Sequence, residues 1–168
     1  AYGMRTGLYT SPHLEHVSER IVIDGQRLSD DDFVELWNQV KDFVALVDKK
    51  MDEEGAPRMS FFEVLTAMAI WKFADAPVDV AIVEVGMGGR WDATNVLDAD
   101  AAVIGPIDMD HMAWLGDTVE QIAQEKVGII KPGCTAIIGR QPHESEVMPI
   151  IEQAAAENHA TIIRDGYE

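Results

Sequence analysis

The sequence predicts an α/β fold in three layers, a doubly wound and mostly parallel sheet with helices on its faces. Two observations lead there. Residues 78–85, 101–107, 134–138 and 160–163 are short apolar runs without polar alternation. Strands of that kind are buried on both faces, as in parallel sheets. Between the later runs lie amphipathic stretches near residues 118–130 and 144–157, and strands alternating with helices build βαβ units.

Each element follows from local chemistry. Residues 6–10 read as a short strand, and residues 21–23 as another that ends at the Asp24-Gly25 turn signal. Ser29 and Asp32 have N-cap spacing ahead of Phe33, Leu36, Trp37, Val40, Val44 and Val47, a one-faced helical set that Gly55 and Pro57 close. Residues 61–73 are apolar almost all round, which predicts a helix sandwiched between layers. Ser60 and Glu63 have capping-box spacing at its start, and Thr118 and Gln121 have it at a later one. No internal boundary, repeat or low-complexity stretch interrupts the chain, so residues 1–168 read as one domain.

Composition narrows the function. The chain has 168 residues, 47% of them hydrophobic, and a formal net charge of -17. So acidic a chain is a poor partner for nucleic acid or an anionic membrane. A small anionic ligand needs only local cations, for which Arg90, Lys126 and Lys131 are available. The one cysteine, Cys134, sits in an apolar run and reads as a buried thiol. No apolar run reaches 18 residues, and the N-terminal residues carry no signal-peptide pattern. The expected compartment is the cytoplasm. The chain begins without Met, and AYGMRTG reads as the tail of an earlier element, so a piece of a larger protein is expected.

Candidate chemistry gathers between residues 84 and 133. Glu84 ends an apolar run, where a buried carboxylate needs a partner: a cation to be ligated, Arg90, or the amides of the glycine cluster that follows. Gly86-Met87-Gly88-Gly89 lets the backbone turn sharply and approach a ligand. It is not G-x-G-x-x-G, and no G-x-x-x-x-G-K-[ST] occurs anywhere. His111 follows Asp108 and Asp110 after another apolar run; such a set suits a hard or borderline metal, or an ordinary loop histidine. Lys126 is either a solvated lysine paired with Glu120 or Glu125, or an amine kept dry enough to react. Ser11 is a turn cap or a metal ligand. His13 and His16 are a further possible ligand pair or a solvated loop; His143 and His159 read as surface residues. Phe61 and Phe62 either belong to an ordinary capped helix start or face a flat aromatic ligand there.

GLYTSPHL, MSFFEVLTA, VEVGMGGRWDATNV and DHMAWLGDTVEQIAQEKVGIIKPG, taken in order, resemble the folylpolyglutamate synthase and dihydrofolate synthase family of the Mur ligase superfamily. The 27 positions from Glu84 to His111 and the 15 from His111 to Lys126 are similar to the family's spacing. The resemblance implies ATP-dependent ligation of L-glutamate to dihydropteroate or folate through an acyl phosphate, with Mg²⁺ as cofactor and a monomeric parent enzyme. It implies Ser11, Glu84 and His111 as Mg²⁺ ligands and Lys126 as a carbamylated lysine (N6-carboxylysine). It makes Ser60, Phe61, Phe62 and Glu63 one substrate contact and Trp91, Asp92 and Ala93 a second. It also implies a glycine-rich phosphate strand before residue 1 and a C-terminal domain, so the chain alone is expected to be inactive. The rival readings are another Mur-type ligase acting on a cell-wall precursor, and a non-catalytic α/β module.

Overall fold

The computed structural model describes residues 2–164. Contacts group the chain into two compact units, Ala1–Gly86 and Met87–Glu168, where the sequence reading placed no boundary. Each unit has its own sheet and its own core.

The first unit opens with strand β1 (Thr6–Tyr9), followed by β2 (Ile21–Ile23), β3 (Gln26–Arg27), helix α1 (Asp30–Glu54), helix α2 (Phe61–Asp75) and strand β4 (Val80–Val83). In the segment read as the tail of an earlier element, Tyr2 to Arg5 are not helical and Thr6 and Gly7 already belong to β1, while Ala1 lies outside the described residues. Asp24-Gly25 turns β2 into the two-residue strand β3, too short to register in the sequence pattern. The sheet order is β3-β2-β1-β4. β1 pairs antiparallel with β2 and parallel with β4, Tyr9 opposite Val83.

Ser29 caps α1 by accepting the Asp32 amide, and Gly55 ends it in the left-handed region at φ 68°. The predicted stripe divides: Leu36, Val40 and Val44 are buried, whereas Trp37 is partly open. With Tyr9, Ile21, Leu65, Met68, Ala69 and Phe73 they form one core. Two expectations are corrected here. α2 is not enclosed all round, since Phe61 and Trp71 are exposed; Trp71 is amphipathic enough to rest on Phe43 of α1 and donate to Gln39. Nor is β4 buried on both faces: Val80 and Ile82, which alternation places on one face, are exposed.

The second unit comprises β5 (Ala101–Ile104), the one-turn helix α3 (Met112–Leu115), α4 (Val119–Lys126), β6 (Thr135–Ile138), α5 (Glu144–Glu157) and β7 (Thr161–Arg164). Its sheet, ordered β5-β6-β7, is parallel throughout. One face, with Ala102, Ile104, Ala136 and Ile138, packs with Ile122, Val147, Ile151 and buried Cys134. The other leaves Val103, Ile137 and Ile163 exposed, so these strands too bury one face rather than two. Thr118 caps α4 by accepting the Gln121 amide, but the return bond from Gln121 goes to the Asp117 amide, so only half of the expected capping box forms. The class is α/β with parallel strand pairing, as the sequence predicted, carried by two sheets.

Candidate active site

In the first unit, parallel pairing decides what meets. β1 and β4 run side by side in one direction, so the residues after Tyr9 and after Val83 leave at the same end. The Glu84 amide continues the ladder by donating to Tyr9 O at 2.9 Å. Ser11 N then donates to Glu84 Oε2 at 2.7 Å. Glu84 is exposed, so the expected cost of a buried carboxylate does not arise. Its partner is a backbone amide rather than an arginine.

Gly86 carries the chain flush against α2: a methyl group there would lie 2.6 Å from the Phe62 ring. Only glycine fits so close an approach. Phe62 stacks obliquely on Tyr9, with centroids 5.8 Å apart. Ser60 and Glu63 close the predicted capping box. Ser60 N donates to Glu63 Oε2 at 2.6 Å, and Glu63 N donates to Ser60 Oγ at 3.2 Å. The Ser60 hydroxyl and amide beside it hold the Glu63 carboxyl below its ordinary value. Phe61, at the first position of α2, stays 60% exposed.

Ser11 and Glu84 fit Mg²⁺ in kind. Both offer oxygen, and among the described residues Ser11 Oγ and Glu84 Oε1 make no hydrogen bond. Mg²⁺ takes one or two such ligands, keeping the rest for water and substrate phosphate. No group of three or more His, Cys, Asp or Glu among the described residues is disposed to hold a metal. Of the possible ligand pair His13 and His16, His13 Nδ1 accepts from Arg20 Nε at 2.9 Å, and the His16 backbone amide donates to Glu19 Oε1.

In the second unit, Gln141 ties down the chain beyond β5. Its amide accepts from Ile107 N and donates to Gly105 O and Gly139 O, all within 2.9 Å. From that clamp the chain runs to Asp108, Asp110 and His111. These three do not converge. Asp108 accepts from Met109 N at 2.7 Å and lies 3.1 Å from His143 Nε2; the amide first, and the imidazole second, hold its carboxyl below the ordinary value. Asp110 accepts the His111 amide at 2.8 Å and lies 3.5 Å from its Nε2. His111 has φ 49°, in the left-handed region. A β-carbon there costs about 1 kcal/mol or more, and such residues cluster at functional positions.

Lys126 ends α4, half-buried, and among the described residues its amine makes no hydrogen bond or ion pair. The pairing with Glu120 or Glu125 that the sequence allowed is absent. The glycine-rich segment lies on the backbone beside it. Arg90 N donates to Glu125 O at 2.9 Å, and a methyl group on Gly89 would stand 2.8 Å from both Glu125 O and Lys126 O. Asp92 organises this segment, accepting from Met87 N, Thr94 N and Thr94 Oγ1. Trp91 next to it is 86% exposed and Ala93 half-buried. Of the cations proposed for an anionic ligand, Lys131 donates to Asn95 O at 2.7 Å and Arg90 to Gln124 O at 3.4 Å.

Two residues of this region were not singled out in the sequence. Gln141 is a lone amide whose clamp exists only once β5 and β6 are paired. Arg20 follows a glutamate at the end of a short 3-10 turn (Val17–Arg20), where an arginine ordinarily faces water.

No protein-family model matches the chain. Among curated proteins it is 48% identical, over 98% of its length, to a Mycobacterium tuberculosis dihydrofolate synthase/folylpolyglutamate synthase. It is 38% identical over its whole length to the Escherichia coli protein of that name, and 39% identical over 96% to an Arabidopsis thaliana folylpolyglutamate synthase. The chain spans 35% and 36% of the length of the first two. Among solved structures it superposes with a TM-score of 0.90 on a Mycobacterium tuberculosis folylpolyglutamate synthase complexed with ADP and AMPPCP, at 48% identity, covering 98% of this chain and 37% of that one. A folylpolyglutamate synthase complex with AMPPCP and folate superposes with a TM-score of 0.86 at 33% identity, over 96% of this chain and 38% of the other.

Proposed function

The chain belongs to the folylpolyglutamate synthase/dihydrofolate synthase family, and from that premise we propose that it supplies part of the site at which ATP drives L-glutamate onto the carboxylate of dihydropteroate or folate. The observation that carries the proposal is the meeting of Ser11 and Glu84 where two parallel strands end, with the first turn of α2 packed against the same loop. In open α/β sheets, ligands bind beyond the carboxyl ends of the strands.

In this reading Ser11 and Glu84, together with His111, are the ligands of Mg²⁺. The cation, when bound, neutralises phosphate charge and orients the transferring group. The Ser11 amide fixes one carboxylate oxygen of Glu84 and leaves the other for the cation. Phe61 and Phe62 offer aromatic surface to the pteridine-bearing substrate, and Ser60 and Glu63 hold the helix start that presents them. Trp91, Asp92 and Ala93 form the second contact, in which Asp92 shapes the loop and Trp91 offers its open ring. Lys126 takes up CO₂ at its amine, losing a proton and becoming an anionic carbamate that no longer repels the cation. The expected setting is the cytoplasm and the expected state a monomer.

The test is direct binding to the chain in the presence of Mg²⁺. Dihydropteroate should bind, and Glu84→Gln should remove the Mg²⁺ dependence. Binding of a UDP-sugar cell-wall precursor instead of dihydropteroate overturns the folate reading. Glutamate-dependent phosphate release by these 168 residues alone is expected to be nil, because they contain no G-x-x-x-x-G-K-[ST] cradle.

A further inference from the structure

Arg20 is a buried charged side chain that meets no counter-charge among the described residues. It is 8% exposed. Its Nε donates to His13 Nδ1 at 2.9 Å, and its guanidinium carbon lies 5.5 Å from the centre of the Phe61 ring. Neither neighbour brings a negative charge. Among the described residues, Nη1 and Nη2 have no hydrogen-bond partner and the side chain joins no ion pair. Glu19, next in sequence, spends its carboxylate on the amides of Leu14, Glu15 and His16. Among the described residues no buried side-chain nitrogen or oxygen lacks a partner, so Nη1 and Nη2 are reachable from outside and open to an opposite charge.

The placement says what would answer it. His13 follows Ser11 by two positions in the loop after β1, and Phe61 opens α2. Arg20 thus stands between the strand-end loop and the aromatic helix start. A guanidinium held by its Nε keeps a planar pair of Nη groups free, the geometry that takes a carboxylate by two parallel bonds. The Phe61 ring, 60% exposed, leaves surface for a flat ring joined to that carboxylate.

We propose that Arg20, braced by His13 and stacked on Phe61, binds the aryl carboxylate of the acceptor substrate and selects for its charge. This rests on the folate reading above and adds a binding residue to it. The experiment compares pteroate with its neutral carboxamide, for the protein with Arg20 and for Arg20→Gln and Arg20→Lys. The unsubstituted protein should prefer the acid by about 10- to 100-fold, the range expected for hydrogen bonds to a charged group. Arg20→Gln should abolish that preference while binding the carboxamide as before, which also shows that it is folded. Arg20→Lys, which keeps charge but not the fork, should retain part of the preference. If Arg20→Gln keeps the full preference, or loses acid and amide equally, Arg20 is structural and the proposal fails while the folate reading stands. If the unsubstituted protein binds neither compound, both fail.

Discussion

Single residues carry the tightest constraints, and the glycines carry them most plainly. Gly89 lies where a β-carbon would stand 2.8 Å from two backbone carbonyls, and carbonyls of a helix end cannot rotate aside as a side chain can. Gly89→Ala should therefore destabilise the protein by about 1–3 kcal/mol, the usual cost of overpacking, read as a lower denaturant midpoint. Gly105→Ala, whose added methyl meets nothing within 4 Å, is the matched control and should change little. A Gly89→Ala variant as stable as the control would mean that the segment carrying Arg90 to Asp92 is not held against Lys126. At this scale the sequence was partly legible. The close approach at Gly86 and Gly89 could be expected from the glycine cluster, and Ser11 beside Glu84 from its motifs. The burial of Arg20 and the clamp of Gln141 could not, because each depends on groups brought together only by folding.

At the scale of the element, helix starts are where sequence and structure agree best, because a cap is a local interaction. Ser29 and Ser60 cap as their spacing predicts. The box at α4 half-fails for a reason of the same kind: Asp117 offers an amide that Gln121 reaches instead of that of Thr118. Ser60→Ala should cost about 1 kcal/mol at neutral pH. The Glu63 half of the box should also be pH-dependent. Its carboxyl is held below the ordinary 4.5 in the folded protein, so its contribution is present above that value and lost as pH falls through the lower folded one. The stability gap between the protein and Glu63→Gln should shrink in acid, as measured by urea midpoints at neutral pH and below pH 4.5. A gap independent of pH would mean that the charge plays no part in the cap. Strands were less legible. Apolar runs without alternation were read as buried on both faces, yet Ile82, Val103 and Ile163 are exposed. Periodicity reports what a strand offers, not which neighbours cover it.

At the scale of the whole molecule, the α/β class and the parallel pairing followed from alternating strands and helices. The partition into two sheets did not, since nothing in the residues around Gly86 distinguishes a turn within a sheet from a passage between two. With 30 acidic against 13 basic residues, local cations matter, and one of them, not among those expected, is enclosed at Arg20. The lone thiol has a use that follows from the partition. Cys134 is 4% exposed in the core of the second unit, and the chain has no other cysteine. An alkylating reagent can reach it only when that unit opens, so the labelling rate under native conditions clocks that opening alone. Tryptophan emission blends both halves, with Trp37 and Trp71 in one and Trp91 and Trp114 in the other. If the two units unfold together, labelling and emission should give the same opening free energy. If the second yields first, the thiol will react while half of the fluorescence is still native.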